Sequence, residues 1–245
     1  MSIKEWVKKV ALGKRYSSKS YVNYLRSIGV KIGKDCTIYV PSKTLIDEQY
    51  PWMITIGDHV RITEGVKMLT HDFSWSVLKL YDKIPEKTGA ILGASGVIEI
   101  GNNVFIGMNT IITRNVKIGD NVIIGAGSVV TKDCLSNGVY VGVPARRIME
   151  ISDFYEKRKA AQLEEAKTLA VKYYERFGKI PPEDVFNEYF MLFYVPDGNN
   201  FKFKKQLDLC GNNNQSIKYI KEEKRVFNDF KEFLIYCFES KRVKT

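Results

Sequence analysis

From Ile100 the chain falls into a register of six residues: IGNNVF, IGMNTI, ITRNVK, IGDNVI, IGAGSV, VTKDCL. Every segment opens with Ile or Val. The fifth position is small or β-branched each time: Val104, Thr110, Val116, Val122, Ser128 and Cys134. The second position reads Gly, Gly, Thr and then Gly, Gly, Thr, so a period of eighteen is superposed on the first. Antiparallel strands alternate at two, turn back through hairpins and hold no such period. A three-sided coil does hold it. Each hexapeptide is one short strand plus one corner, and three make a turn. The first and fifth positions, four apart, share the inward side of the strand alternation. Glycine fits where the backbone turns tightly. Successive turns pair in parallel, and the stack buries a continuous aliphatic core.

The register returns upstream. IGKDCT and IYVPSK start at Ile32 and Ile38; IGDHVR, ITEGVK and MLTHDF start at Ile56, Ile62 and Met68. Between them it slips through TLIDEQYPWMIT. The array is therefore expected over residues 30–148, with a loop inserted at 74–96. Residues 1–29, which include SYVNYLRSIGV, are expected to form a helical cap over the first turn, because a solenoid needs its open edge blocked. Residues 149–245 change to a helical period. Ala166, Leu169, Ala170, Tyr173 and Phe177 share one face, and Gly178 is placed to end that helix. Pro181 and Pro182 are expected to open a second helix over EDVFNEYFMLFY. After a loop containing GNNNQ, a third helix carries Phe227, Phe230, Leu234 and Cys237.

Composition narrows the class. Apolar residues make up 44% and charged residues 27%, the balance of a soluble globular protein. No apolar run approaches the roughly 18 residues of a membrane span. The start, MSIKEWVKKVALGKRY, does not read as a signal peptide, so a cytoplasmic protein is expected. A net charge of +10 suits anionic partners. The lysines are scattered, however, and no nucleic-acid motif accompanies them, so no nucleic-acid partner is expected. Cys36, Cys134, Cys210 and Cys237 form no CxxC pair, and no metal site is expected.

The segments IGNNVFIG, IGDNVIIGAGSVVTKD and VYVGVPARRI resemble the hexapeptide-repeat acyltransferases, and most closely their sugar O-acetyltransferase branch. The resemblance covers roughly residues 18 to 150. It implies an all-β solenoid core, a left-handed parallel β-helix, flanked here by the N-terminal helical cap and the α-helical extension. It further implies acetyl-CoA as donor, a homotrimer, and active sites in clefts between neighbouring copies. The acceptor would be a small or polymeric sugar, in bacterial surface-polysaccharide synthesis. Antibiotic O-acetylation and amino-sugar N-acetylation are the alternatives.

The same resemblance assigns residues. His71 follows the last turn before the loop, in the place of a general base. A sugar hydroxyl is a poor nucleophile, and a neutral imidazole can take its proton. The negative oxygen that forms then needs donors, and the Met108 main-chain amide is the expected one. Asp72 or Glu64 could orient His71. Asp72 falls at an inward position, so either the coil ends before it or it is a buried carboxylate in need of a partner; it could also cap the first amides of the loop. Asp47, Asp72 and Trp75 are the expected acceptor contacts, and Trp75 could equally hold the loop down. For the cofactor, Met108 and Ala126 would line the pantetheine path. Thr131 and Lys132 would lie near the nucleotide, and Arg146 and Arg147 near its phosphates. His59, in IGDHV, reads as a solvated corner where the repeat usually has Asn.

Overall fold

The computed structural model describes residues 3–83, 86, 89–196, 202–223 and 225–239. They form two compact units, Met1–Phe154 and Tyr155–Thr245.

The first unit is built on three parallel sheets that the chain visits in rotation. The first face stacks Lys31–Ile32, Ile54–Ile56, Ile98–Ile100 and Val116–Ile118. The second stacks Thr37–Ile38, Arg61–Ile62, Val104–Ile106, Val122–Ile124 and Gly138–Gly142. The third stacks Leu45–Ile46, Lys67–Met68, Ile111–Ile112 and Val129–Val130. Val104 pairs with Val122 and Ile112 with Val130, which is the period of eighteen realised as register.

The inward positions behave as the alternation requires. Ile100, Ile106, Ile112, Ile118, Ile124 and Val130 are buried, and so are all six fifth-position residues. The two hydroxyls among them bond within the wall: Thr110 Oγ1 donates to the Gly107 carbonyl at 2.8 Å, and Ser128 Oγ to that of Gly125 at 2.7 Å. Corners need a left-handed residue. Asn103, Asn109, Asn115, Asn121 and Asn137 supply it with φ between 54° and 60°, and His59 takes the same conformation at 58°. His59 is thus an asparagine substitute at a solvated corner.

The upstream slip has a structural cause. Ile38, Ile46 and Ile56 occupy successive faces eight and ten residues apart, where the later turns use six. The surplus forms short 3₁₀ turns at Pro41–Lys43 and Pro51–Met53. The helix Ser18–Ser27 buries Tyr21, Val22 and Leu25 against the first turn, and Ser17 caps it by accepting from the Ser20 amide at 3.2 Å.

Two boundaries differ from the sequence reading. The loop leaves the coil at His71 rather than at residue 74, because His71–Asp72 pair antiparallel with Ala94–Ser95 as a two-stranded stem. The chain rejoins at Gly96, whose amide donates to the Thr70 carbonyl at 2.8 Å. At the other end, the parallel array stops at Gly142. A cis Val143–Pro144 bond turns the chain, and Ala145–Glu150 returns antiparallel along the second face.

In the second unit, the helix Ile151–Phe177 ends at Gly178, with φ +63° and its amide on the Tyr174 carbonyl at 2.8 Å. The expected second helix is replaced by two 3₁₀ turns, Glu183–Phe186 and Phe190–Leu192. The Asn187 side chain takes the Asp184 carbonyl at 2.6 Å, an acceptor that a continuous helix would have used. GNNNQ is not a loop throughout: Asn213–Glu222 is helical and buries Ile220. The last helix is Phe230–Phe238, capped by Asp229, so Phe227 lies before it rather than in it. The core of this unit is a ring cluster around Phe186, Phe193 and Phe233, with centroids 5.0 to 6.3 Å apart.

Candidate functional site

His71 stands where the third face ends and the stem begins. Its position follows from the coil: Met68 is the last inward residue, Leu69 and Thr70 make the corner, and the next residue faces out. The turn before it carries the enlarged corner Asp47–Pro51 in the same column. Asp47 is only 6% exposed. Its Oδ2 accepts from the Thr70 amide at 3.0 Å, from Thr70 Oγ1 at 2.5 Å and meets His71 Nδ1 at 2.6 Å. Its Oδ1 accepts from the Gln49 amide at 2.9 Å. Burial by itself would raise the Asp47 pKa, but the donors from Thr70, Gln49 and His71 outweigh it and hold the carboxyl below its ordinary value.

An ionised Asp47 fixes the chemistry of the ring. It can only accept, so His71 Nδ1 is the donor to it, and in the neutral tautomer Nε2 is the nitrogen that holds the lone pair. The ring is also held edge-on to Tyr50, at 5.4 Å and 79°. Glu48, beside Asp47, is bound by Lys14 at 2.7 Å, Arg15 at 2.8 Å and Tyr24 at 2.8 Å, so the N-terminal segment fastens the enlarged corner. The result is an imidazole held in one orientation by its neighbours.

Several expected residues take other roles. Asp47 does not face an acceptor: both its oxygens are committed inside the corner, because a buried carboxylate must be satisfied there. Asp72 does not orient His71. The coil ends before it, and it accepts from the Ser74 amide at 3.0 Å and hydroxyl at 2.5 Å and from Arg114 Nε at 2.9 Å. Those contacts pull its carboxyl down to about 2. Glu64 lies at a different corner and pairs with Lys43 at 2.6 Å. Trp75 is half-buried at the start of the helix Trp75–Leu80 and packs on Phe73 at 4.5 Å. Arg147 is drawn back by the antiparallel return strand onto the Ser136 and Asn137 carbonyls, at 3.3 and 3.0 Å, and onto Glu150.

The remaining expected residues fall at two corners. Met108 and Ala126 stack between the second and third faces, joined by the Gly127 amide on the Met108 carbonyl at 2.7 Å. Both are exposed, and the Met108 amide donates to no acceptor among the described residues. Arg146 starts the return strand beside that corner, with its guanidinium exposed. Thr131 and Lys132 instead lie in the His71 column, above Thr113 and Arg114, and are exposed. One chain therefore puts the His71 imidazole at one corner and the free Met108 amide at the other side of the third face.

Three of the four cysteines are disfavoured as nucleophiles, and the fourth, Cys210, lies exposed in the C-terminal unit. Burial pushes the Cys134 and Cys237 thiols up to about 12 and raises that of Cys36. Among the described residues no group of His, Cys, Asp and Glu could hold a metal.

Residues 98–132 match the family model described as bacterial transferase hexapeptide (six repeats). Protein CapG of Staphylococcus aureus is 44% identical over 134 residues, covering 54% of this chain and 73% of that protein. The chain belongs to the hexapeptide-repeat acyltransferase family. A second member, the galactoside O-acetyltransferase of Escherichia coli, is 42% identical over 110 residues, 45% of this chain and 49% of that enzyme. The chain thus spans about half the length of this second relative. A solved maltose O-acetyltransferase from Clostridium difficile aligns at 26% identity and a TM-score of 0.40, over 60% of this chain and 81% of its own. A galactoside acetyltransferase solved with coenzyme A aligns at 25% and 0.41, over 64% and 86%.

Within this family's repeat, sequence alone missed Tyr50 and the Asp47–His71 bond. Tyr50 and Asp47 sit in the segment where the register slips, and only the spacing of Ile38, Ile46 and Ile56 could have located them.

Proposed function

We propose that this protein is an acetyl-CoA-dependent O-acetyltransferase that acts on a sugar hydroxyl in surface-polysaccharide synthesis. The observation that carries this reading is the oriented imidazole: His71 Nδ1 tied to buried Asp47, with Nε2 left to accept a proton. The 42% identity to a galactoside O-acetyltransferase supports the acceptor class. On this reading the coil is a left-handed β-helix, as in the family.

The residues suit such a donor. Acetyl-CoA would supply an acyl group already activated as a thioester. Ala126 leaves space for a thin arm beside its corner, the unbonded Met108 amide can stabilise a negative oxygen, and exposed Lys132 and Arg146 suit phosphates. His71 Nε2 takes the proton of the attacking hydroxyl and returns it to the leaving sulfur. Asp47 keeps the ring oriented and stabilises its protonated form.

The separation of base and amide supports a shared site. We read the assembly as a closed three-fold ring in which the His71 corner of one copy faces the Met108 corner of the next. Light scattering at three times the chain mass is the expected result.

Thiol release from acetyl-CoA, measured across a panel of sugars, tests the mechanism. His71→Ala is expected to lower kcat by at least about 100-fold. Near-normal turnover in that variant sinks the assignment of the base.

A further inference from the structure

The second unit contains hollows that the transfer chemistry does not use. One, of about 480 Å³, opens between the 3₁₀ turns and the helix Asn213–Glu222. Another, of about 210 Å³, adjoins it, with Glu188 and Tyr219 bordering both. The larger is within the range of small-molecule sites, roughly 300–1,000 Å³.

Its lining leaves several polar side chains free to meet a ligand. The side chains of Gln206, Gln215, Ser216 and Glu188 border the larger hollow and make no hydrogen bond within the protein among the described residues. An amide offers a donor and an acceptor a short distance apart, as two neighbouring hydroxyls do. The floor beneath is apolar, formed by Phe190 and Ile220, both buried. Tyr219, 43% exposed, presents a ring at the rim. Polar groups around an apolar floor match a ring that carries hydroxyls on its edge and C–H bonds on its faces.

Charge selects among such ligands. Glu188 is the charged side chain of the larger hollow. In the smaller one Arg158 and Lys159 are already paired, with Glu165 at 2.6 Å and Glu223 at 3.0 Å. Among the described residues no uncompensated cation faces either space, which disfavours phosphates, sulfates and uronates.

We propose that the C-terminal unit binds neutral carbohydrate in this cleft, as a second site separate from the His71 corner. The site goes beyond the transfer reaction and stands or falls without it. Saturation-transfer NMR on the full chain, with maltotriose, cellotriose and chitotriose as neutral probes and trigalacturonate as the acidic one, tests it. Transfer to at least one neutral trisaccharide is expected, with titrated affinity falling at least about 10-fold in the double variant Gln206→Ala, Gln215→Ala. Both side chains lack protein partners, so an unchanged thermal midpoint is expected. Tyr219→Ala should weaken binding independently. His71→Ala should leave it intact. The proposal is overturned if no neutral probe receives transfer, if trigalacturonate binds best, or if binding is indifferent to the C-terminal substitutions.

Discussion

The two units bury their cores by opposite means. The coil uses aliphatic residues at fixed positions, stacked from turn to turn, as Val104 on Val122 and Ile106 on Ile124. The C-terminal unit uses rings of Phe186, Phe190, Phe193, Phe203 and Phe233 meeting at varied angles, with no repeat. In the coil a lost methylene is one of many equal contributions, and neighbouring turns share the strain. In the ring cluster each side chain touches several others, so one position concentrates the stability. The contrast also separates function from packing. Against a regular background, a deviation such as Asp47 stands out, while an irregular core offers no background at all.

The largest expected effect attacks the concentrated core. Phe186→Ala removes a fully buried ring and should cost about 3–5 kcal/mol. Hydrogen exchange should show the loss in residues 155–239 while protection on the three coil faces is unchanged. Equal loss in both would mean that the two cores unfold together. Next is Asp47→Asn, which replaces an ionised acceptor by a group that can present a donor to His71. Turnover should fall by about 100-fold, near 2.7 kcal/mol, with the coil still folded by circular dichroism. A variant that merely unfolds would place Asp47 among packing residues and break the contrast.

Gly107→Ala tests the sharing of strain. A Cβ there would meet the Ala126 amide nitrogen at 2.5 Å, main chain that cannot rotate away. A destabilisation of about 1–3 kcal/mol by denaturant titration is expected. The smallest effect is that of Asp72→Asn. The Ser74 contacts and Arg114 hold the Asp72 carboxyl down to about 2, so its contribution is present above the unfolded value near about 3.9 and disappears as pH falls toward 2. The Ser74 amide resonance should therefore shift around pH 2 in the native chain and stay flat in the variant.

Legibility in the sequence followed the same divide. Inward positions of the coil were readable because each side chain repeats its environment every turn. His71 was readable as the residue at which that repetition stops. Asp47 was placed among site residues but with the wrong task, since two and four surplus residues displace the turns around it. Arg147 could not be read, because nothing in VPARRI announces that the chain reverses at Pro144. In the tail, Phe186, Phe190 and Phe193 have helical spacing, yet Phe186 and Phe190 lie in separate 3₁₀ turns and Phe193 just after the second: ring packing and the Asn187–Asp184 bond override the local pattern.

The stem at His71 has a consequence for how such chains can diverge. The inserted segment departs after Thr70 and rejoins at Gly96, two residues held by a single main-chain bond. Stretching or replacing the segment beyond the His71–Asp72 strand leaves the register of the turns untouched, and doubling a flexible insert costs only about 0.6 kcal/mol of closure entropy. The corner works as a socket. New surface can be grafted beside the imidazole while the scaffold that aims it stays as it was.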